Sequence, residues 1–305
     1  MDKPIKIRYI KHTGANTGYF LQVLGILHQK SEFNVEVTVT DLDKYTENIN
    51  YDILLYQTFP DHSNKKFNPS LVMKTDPLYH EFKGLKILVD AHDNGDVDAF
   101  SRFYETKEQP RVKCFPSHRF SNEYNIVLNS TISTRTWNTF PDKHRRKIII
   151  SCKFGHIVEG GFYNHGIRED IIKQLKWFFP KETDFYRVNG REAYIEDLKR
   201  TWISIGAPGW GQYSATHQCS LRTGALLFCH ESFKDIKYLP HRDLVDGADY
   251  ISYNLFDFRS KLQRLLDSPG KVDQIRREGR ESFAKGYDPY RSAQQFYNYL
   301  KEELK

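Results

Sequence analysis

Between Ile205 and Ser214 the chain reads Gly206-Ala207-Pro208-Gly209-Trp210-Gly211-Gln212-Tyr213, small residues set between an apolar strand pattern and a helical one. Glycines at such a junction let backbone N–H groups come close to an anion, and the helix start adds the positive end of its dipole. A diphosphate suits this arrangement, with Gly209, Trp210, Gly211 and Ser214 nearest to it; the competing reading is that the glycines only permit a tight turn. Three cations stand at related places: Lys153 after a strand, Arg168 at the start of the next helix, and Arg222 near the end of the helix that follows the turn. Lys153 and Arg168 can stabilise negative charge developing on a phosphate leaving group without a metal. Their plain alternative is a solvated surface, and for Arg222 it is a cation complementing a helix C-terminus.

The N-terminal half offers groups for proton transfer. Val89-Asp90-Ala91-His92-Asp93-Asn94-Gly95 closes an apolar strand with a dense polar set, and a carboxylate or imidazole there can take the proton from an attacking hydroxyl. Asp90, His92 and Asp93 are the candidate bases, weighed against simple turn or helix capping by Asp and Asn. His12 and His118, each also following a strand, are secondary candidates. After the first strand comes Gly14-Ala15-Asn16-Thr17-Gly18, a glycine loop without the full GxGxxG spacing of a dinucleotide site, so an oxidoreductase is the weaker reading.

No metal and no cofactor is expected. Asp41-Leu42-Asp43 and Asp96-Val97-Asp98 have the letter spacing of a DxD metal site, but their contexts fit turns or helix ends. The four cysteines (Cys114, Cys152, Cys219, Cys229) show no CxxC or Cys/His ligand spacing and read as buried free thiols. The net charge is +6, yet the basic residues are interspersed with acids, so nucleic acid is not the expected partner.

These residues need a scaffold of strands, turns and helices. Apolar strand patterns at 5–10, 35–39, 53–56, 87–89, 112–115 and 125–128 alternate with segments long enough for crossovers, the first of them a helical pattern at 19–28 built on Phe20, Val23, Leu24 and Leu27. A polar stretch, 129–146, ends in the basic cluster Lys143, His144, Arg145, Arg146 and reads as an interdomain connection. A second alternation begins at strand 147–152 and continues with helix 168–178, strand 184–188, helix 193–199, strand 202–205, helix 214–223, strand 225–229 and strand 250–253. Helices 257–266, 272–285 and 289–304 end the chain. A length of 305 residues fits two α/β domains of about 150 residues each. The fold class expected is α/β, with two Rossmann-like domains facing a central cleft, residues 1–146 on the acceptor side and 147–305 on the nucleotide side. Apolar runs fall far short of the ~20 residues of a membrane span, and the N-terminus lacks a signal-peptide pattern, which leads to the expectation of a cytoplasmic protein.

From Lys147 onward the sequence resembles the donor-binding half of GT-B glycosyltransferases, nearest to the group 1, CgeB-like and CAP10-like families. The resemblance rests on the glycine turn Gly209-Trp210-Gly211 followed by Arg222-Thr223-Gly224-Ala225-Leu226-Leu227-Phe228. It continues with the strand entry Gly247-Ala248-Asp249-Tyr250, the helix Lys261-Leu262-Gln263-Arg264-Leu265-Leu266-Asp267-Ser268-Pro269, and Arg276-Arg277-Glu278-Gly279-Arg280 in a later helix. It implies transfer of a hexose or pentose from a nucleotide-diphosphate sugar, UDP- or GDP-linked, to a hydroxyl of a carbohydrate or glycoconjugate. Gly14, Asn16 and Gly18 then occupy the acceptor-side loop. Where many relatives carry Arg early in the helix after the turn and Glu later in it, this chain has residues near Ser214 to His217, and Cys219; Glu231, closing the next strand, is the substitute acid. A sugar-nucleotide epimerase or hydrolase of the same architecture, or a non-catalytic nucleotide- or carbohydrate-binding protein, is the alternative.

Overall fold

The computed structural model describes residues 3–11, 18–41, 50–57, 81–90, 111–113, 117–118, 126–127, 146–153, 165–186, 188, 190–208, 215–237, 243–286 and 288–305. The chain divides into two compact units, residues 1–132 with 288–305, and residues 133–287.

The first unit is built on strands β1 (Ile5–Lys11), β2 (Val35–Asp41), β3 (Ile53–Gln57), β4 (Leu85–Asp90), β5 (Arg111–Lys113) and β7 (Ile126–Val127); a two-residue strand, β6 (Ser117–His118), lies outside that sheet. The sheet order is β2-β1-β3-β4-β5-β7 and the pairings are parallel, with Ile7 opposite both Val37 and Ile53. Parallel pairing places cover on both faces, and all five residues of β3 are buried accordingly. Helix α1 (Gly18–Gln29) supplies part of that cover through Phe20, Val23, Leu24 and Leu27, the i, i+3, i+4, i+7 set seen in the sequence.

The second unit has the sheet order β13-β11-β10-β8-β9, again parallel, from β8 (Ile148–Ser151), β9 (Thr183–Asp184), β10 (Thr201–Gly206), β11 (Leu226–His230) and β13 (Ile251–Tyr253). Another two-residue strand, β12 (Ile236–Lys237), is not part of it. Its helices are α2 (His165–Phe178), α3 (Arg191–Lys199), α4 (Ala215–Thr223), α5 (Phe258–Leu266) and α6 (Pro269–Gly286). Ile150, Ile171, Leu175, Ile203, Ile205, Phe228 and Phe258 make the core. Gly224 takes a left-handed φ of 70° just past α4, where its N–H bonds to the Leu221 carbonyl, so it ends the helix and releases the chain into β11. Gly279, inside α6, lies so close to the 245–250 turn that a Cβ would sit 2.0 Å from the Asp249 carbonyl oxygen. The glycine of the Arg276–Arg280 motif is thus a packing requirement.

One expectation needs correction. The last helix, α7 (Pro289–Glu303), belongs to the first unit, not to a continuous 147–305 domain. Asp288 caps it through the N–H groups of Tyr290 and Arg291, and its buried stripe Ala293, Phe296, Leu300 meets α1, with Phe296 and Phe20 ring centroids 5.6 Å apart. Tyr290 adds a hydrogen bond to Glu32 at 2.8 Å. Arg146, at the end of the stretch read as an interdomain connection, is buried and donates to the carbonyls of Thr201 and of Thr223, the latter at 3.1 Å.

Candidate functional site

In both units the first strand lies between the second and the third, giving the order 2-1-3-4-5, which β7 extends in the first unit. Chain connections leave in opposite directions from the first and third strands. A crevice therefore opens outside their carboxyl ends, the place where doubly wound sheets bind ligands. In the second unit that crevice lies between the ends of β8 and β10, where the described chain leaves β10 through Ala207 and Pro208.

The β10 end is held by three contacts. Arg168, in the first turn of α2, donates from Nε to the Pro208 carbonyl at 2.7 Å. Tyr253, fully buried at the end of β13, donates its hydroxyl to the Gly206 carbonyl at 2.8 Å. Burial pushes the Tyr253 hydroxyl well above its ordinary pKa, so it stays a neutral donor. His217 in α4 covers the other side of Gly206: a Cβ on this glycine would meet His217 Cδ2 at 2.9 Å and Cys229 Cβ at 3.0 Å. The strand and helix at this turn touch because residue 206 has no side chain. Burial also pulls the Arg168 guanidinium below its ordinary value, with Cys152 and Tyr253 acting in the opposite sense.

Not every candidate cation faces the crevice. Lys153, after β8, has a side chain only 2% exposed and is ion-paired with Asp197 of α3 and, at 3.1 Å, with Asp184 of β9. Its ammonium is thereby held toward the β9 side of β8 and ties three elements together. Arg222 is buried at the far end of α4 from the turn, with its guanidinium 6.0 Å from the Phe283 ring centroid of α6. Along a helix at 1.5 Å per residue, seven residues separate Arg222 from the first position of α4 by roughly 10 Å. Lys153 is therefore not the solvated surface cation of its plain alternative but a buried ion-paired one, while Arg222 stands in the last turn of α4, as its plain alternative has it.

At the end of β11, Glu231 is exposed and opens a 3-10 turn, Glu231–Asp235. Beside it, half-buried His230 accepts the Ser232 N–H on Nδ1 at 3.3 Å, with Ser232 Oγ 3.0 Å from the same nitrogen. That acceptor role leaves the proton on Nε2, and burial lowers the His230 pKa against the raising effect of Glu231. His230 is a polar group at a strand end that residue-type patterns alone do not single out. His217, among the positions read in place of the family's Arg, is 1% exposed and stacks on Phe233 at 4.8 Å, and Cys219 is buried too; both serve packing.

In the first unit the equivalent crevice is bounded by Lys11 and Gln57, the ends of β1 and β3. Buried Gln57 accepts from the Tyr9 hydroxyl at 2.9 Å. Gly18 opens α1 and Asp90 closes β4, opposite Lys113. Gly14, Asn16, His12, His92, Asp93, Gly209, Trp210, Gly211 and Ser214 lie outside the described residues, as does Cys114. Cys152, Cys219 and Cys229 are buried thiols. Among the described residues no group of three His, Cys, Asp or Glu side chains could hold a metal, and no helix is long and apolar enough to cross a membrane. Asp41 pairs with Lys11 at 3.0 Å.

No family model matches the sequence and no curated protein does. Solved structures do, over nearly the full length of both chains. Sucrose-phosphate synthase from Thermosynechococcus elongatus has a TM-score of 0.60 at 8% identity, covering 98% of this chain and 99% of its own. An alpha-glucosyltransferase in complex with UDP and a 13-mer DNA containing a HMU base has 0.58 at 9%, covering 99% of each. The Anabaena protein HepE in complex with UDP-glucose has 0.57 at 8%, covering 97% and 99%. The fold is GT-B. It consists of two Rossmann-like α/β units with parallel sheets, as the strand orders show. Identity this low carries the GT-B architecture across, while chemistry has to be argued from the site.

Proposed function

We propose that this GT-B chain transfers a sugar from a nucleotide-diphosphate sugar to a hydroxyl acceptor, with the nucleotide bound by the second unit. The observation that carries the reading is the crevice between β8 and β10, where Arg168 fixes the Pro208 carbonyl at the mouth of the glycine turn. The sequence reading gives the diphosphate the backbone N–H groups of Gly209 to Gly211 and the Ser214 position, and Arg168 is the described cation at the strand end that precedes them. UDP occurs with two of the fold's other bearers, which favours a uridine donor.

The acceptor oxygen attacks the anomeric carbon, the bond from that carbon to the phosphate oxygen breaks, and the nucleoside diphosphate leaves with the electron pair. Arg168 and the helix amides assigned to residues 209–214 stabilise that charge without a metal. The proton passes to a base assigned to the stretch Asp90, His92, Asp93. Glu231 and His230, both at the end of β11, are assigned to bonds with sugar or ribose hydroxyls.

A thermal-shift panel of UDP, GDP, ADP and CMP tests the binding step, because a ligand specific to the folded state must raise its stability. Product analysis with radiolabelled UDP-glucose, with and without EDTA, tests the rest. Label moved onto a carbohydrate acceptor in both conditions supports transfer without metal. Free labelled glucose, an epimerised nucleotide sugar, or tight UDP binding with no turnover would each replace the transferase assignment by one of its rivals.

A further inference from the structure

Nδ1 of His230 is engaged twice by one residue: it accepts the Ser232 N–H at 3.3 Å and lies 3.0 Å from the Ser232 hydroxyl oxygen. A ring nitrogen that accepts a backbone N–H carries no proton, so the hydroxyl donates to it as well and the ring proton sits on Nε2. Among the described residues Nε2 has no hydrogen-bond partner. The ring is half-buried and stands edge-on to Tyr253, with centroids 6.0 Å apart. Beside it, exposed Glu231 favours the imidazolium, but charging the ring costs both Nδ1 bonds, and burial holds the pKa below its ordinary value.

The 3-10 turn that carries Ser232 is braced. Phe233, the next residue, is buried, stacks on His217 of α4 with ring centroids 4.8 Å apart, and meets Tyr250 edge-on at 5.0 Å. Lys234 pairs with Asp246 at 2.9 Å, and Asp246 in turn accepts the Ser252 N–H at 2.7 Å. The Ser232 N–H therefore cannot leave Nδ1 without moving a buried ring and an ion pair. The register sets Cys229 opposite Gly206, so His230 stands one residue past the end of β10, on the side away from β8 and β9. Ligands joined by a diphosphate lie across the crevice of a doubly wound sheet, one half on each side. The ribose-binding acid of such sites stands about 20 residues after the first glycine loop, at the second strand. A nucleoside placed likewise lies toward β9 and leaves the sugar to the β11 side.

We propose that His230 meets the donor's sugar through Nε2 as a hydrogen-bond donor, not as a proton acceptor, and that Ser232 is the positioning residue that fixes this tautomer. The inference rests on the transferase reading and narrows it: the end of β11 contacts a sugar hydroxyl oxygen, not the ribose, and the acceptor's proton goes elsewhere. Two measurements on the full chain test it. In nitrogen NMR of the histidine rings in mildly alkaline buffer, His230, assigned by its loss in His230→Ala, should show a protonated Nε2 and a bare Nδ1. Ser232→Ala should shift the ring toward a mixture of tautomers, and Ser232→Thr should restore the parent pattern. Titration calorimetry then compares UDP-glucose with UDP. His230→Ala should weaken UDP-glucose about tenfold and leave UDP within about twofold of the parent. His230→Gln, which keeps an N–H donor, should recover much of the loss, and Ser232→Ala should fall between parent and His230→Ala. Circular dichroism matching the parent separates a lost contact from lost folding. A proton on Nδ1, equal weakening of UDP and UDP-glucose, or unchanged UDP-glucose affinity in folded His230→Ala would overturn this inference alone. A parent that binds neither ligand would overturn it together with the transferase reading, whatever tautomer the ring shows.

Discussion

Arg168 Nε and the Pro208 carbonyl oxygen, 2.7 Å apart, join the first turn of α2 to the chain as it leaves β10. The bond spans the crevice between β8 and β10, so on the proposed function it bears on nucleotide binding as well as on stability. Hydrogen bonds from charged groups contribute about 1.5–3 kcal/mol, and Arg168→Met should cost about that much in urea unfolding. Nucleotide affinity, measured by titration calorimetry, should fall about tenfold, equivalent to ~1.4 kcal/mol. Unchanged affinity in the folded variant would reduce Arg168 to a structural role.

Lys153 poses the reverse case. Removing one partner from a buried ion pair costs about 3–5 kcal/mol, and the partial exposure of Asp184 puts the expected loss for Lys153→Met toward the lower end. The folded fraction should bind the nucleotide as the parent does. A fall in affinity with full stability would instead return Lys153 to the diphosphate.

Phe296 tests which unit owns the last helix. It is fully buried against Phe20, so Phe296→Ala should cost about 3–5 kcal/mol. Hydrogen exchange should quicken at the amides of α1 and β1 while those of β10 and β11 keep their protection. Loss of protection confined to β10 and β11 would contradict the assignment.

His230 makes stability depend on pH. Its folded pKa lies below the ordinary value of 6.5, chiefly because burial disfavours the charged ring. Between the folded value and 6.5 the unfolded chain binds more protons, so stability rises with pH through that window and is flat above it. Denaturant midpoints from pH 5 to 8, on the parent and on His230→Asn, should show this acid-side decline reduced in the variant. An identical slope in both would remove His230 from the account.

Much of this architecture was legible in the residues. Apolar or alternating runs bounded by turns placed β1, β3, β8, β10 and β11 within a residue or two, and β3 and β11 read as near-continuous apolar runs because both their faces are covered. Helical spacing at Phe20, Val23, Leu24 and Leu27 placed α1 for a similar reason, and Gly224 declared the end of α4 by its need for positive φ. The glycine turn stood out because few residues tolerate a strand and a helix so close together.

Other properties depended on which surfaces meet across long stretches of chain. An apolar stripe such as Ala293, Phe296, Leu300 fits either sheet, and only three-dimensional packing gave it to α1. Charge is equally ambiguous along a sequence: Lys153, Arg168 and Arg222 have the same letter-level claim on an anion, yet one is paired with two carboxylates, one packs on Phe283, and one holds the Pro208 carbonyl. Local periodicity determines whether a segment folds as strand or helix, since its energetics are set within a few residues. A side chain's partner is determined by contacts between residues tens of positions apart, and those exist only once the sheet order has formed.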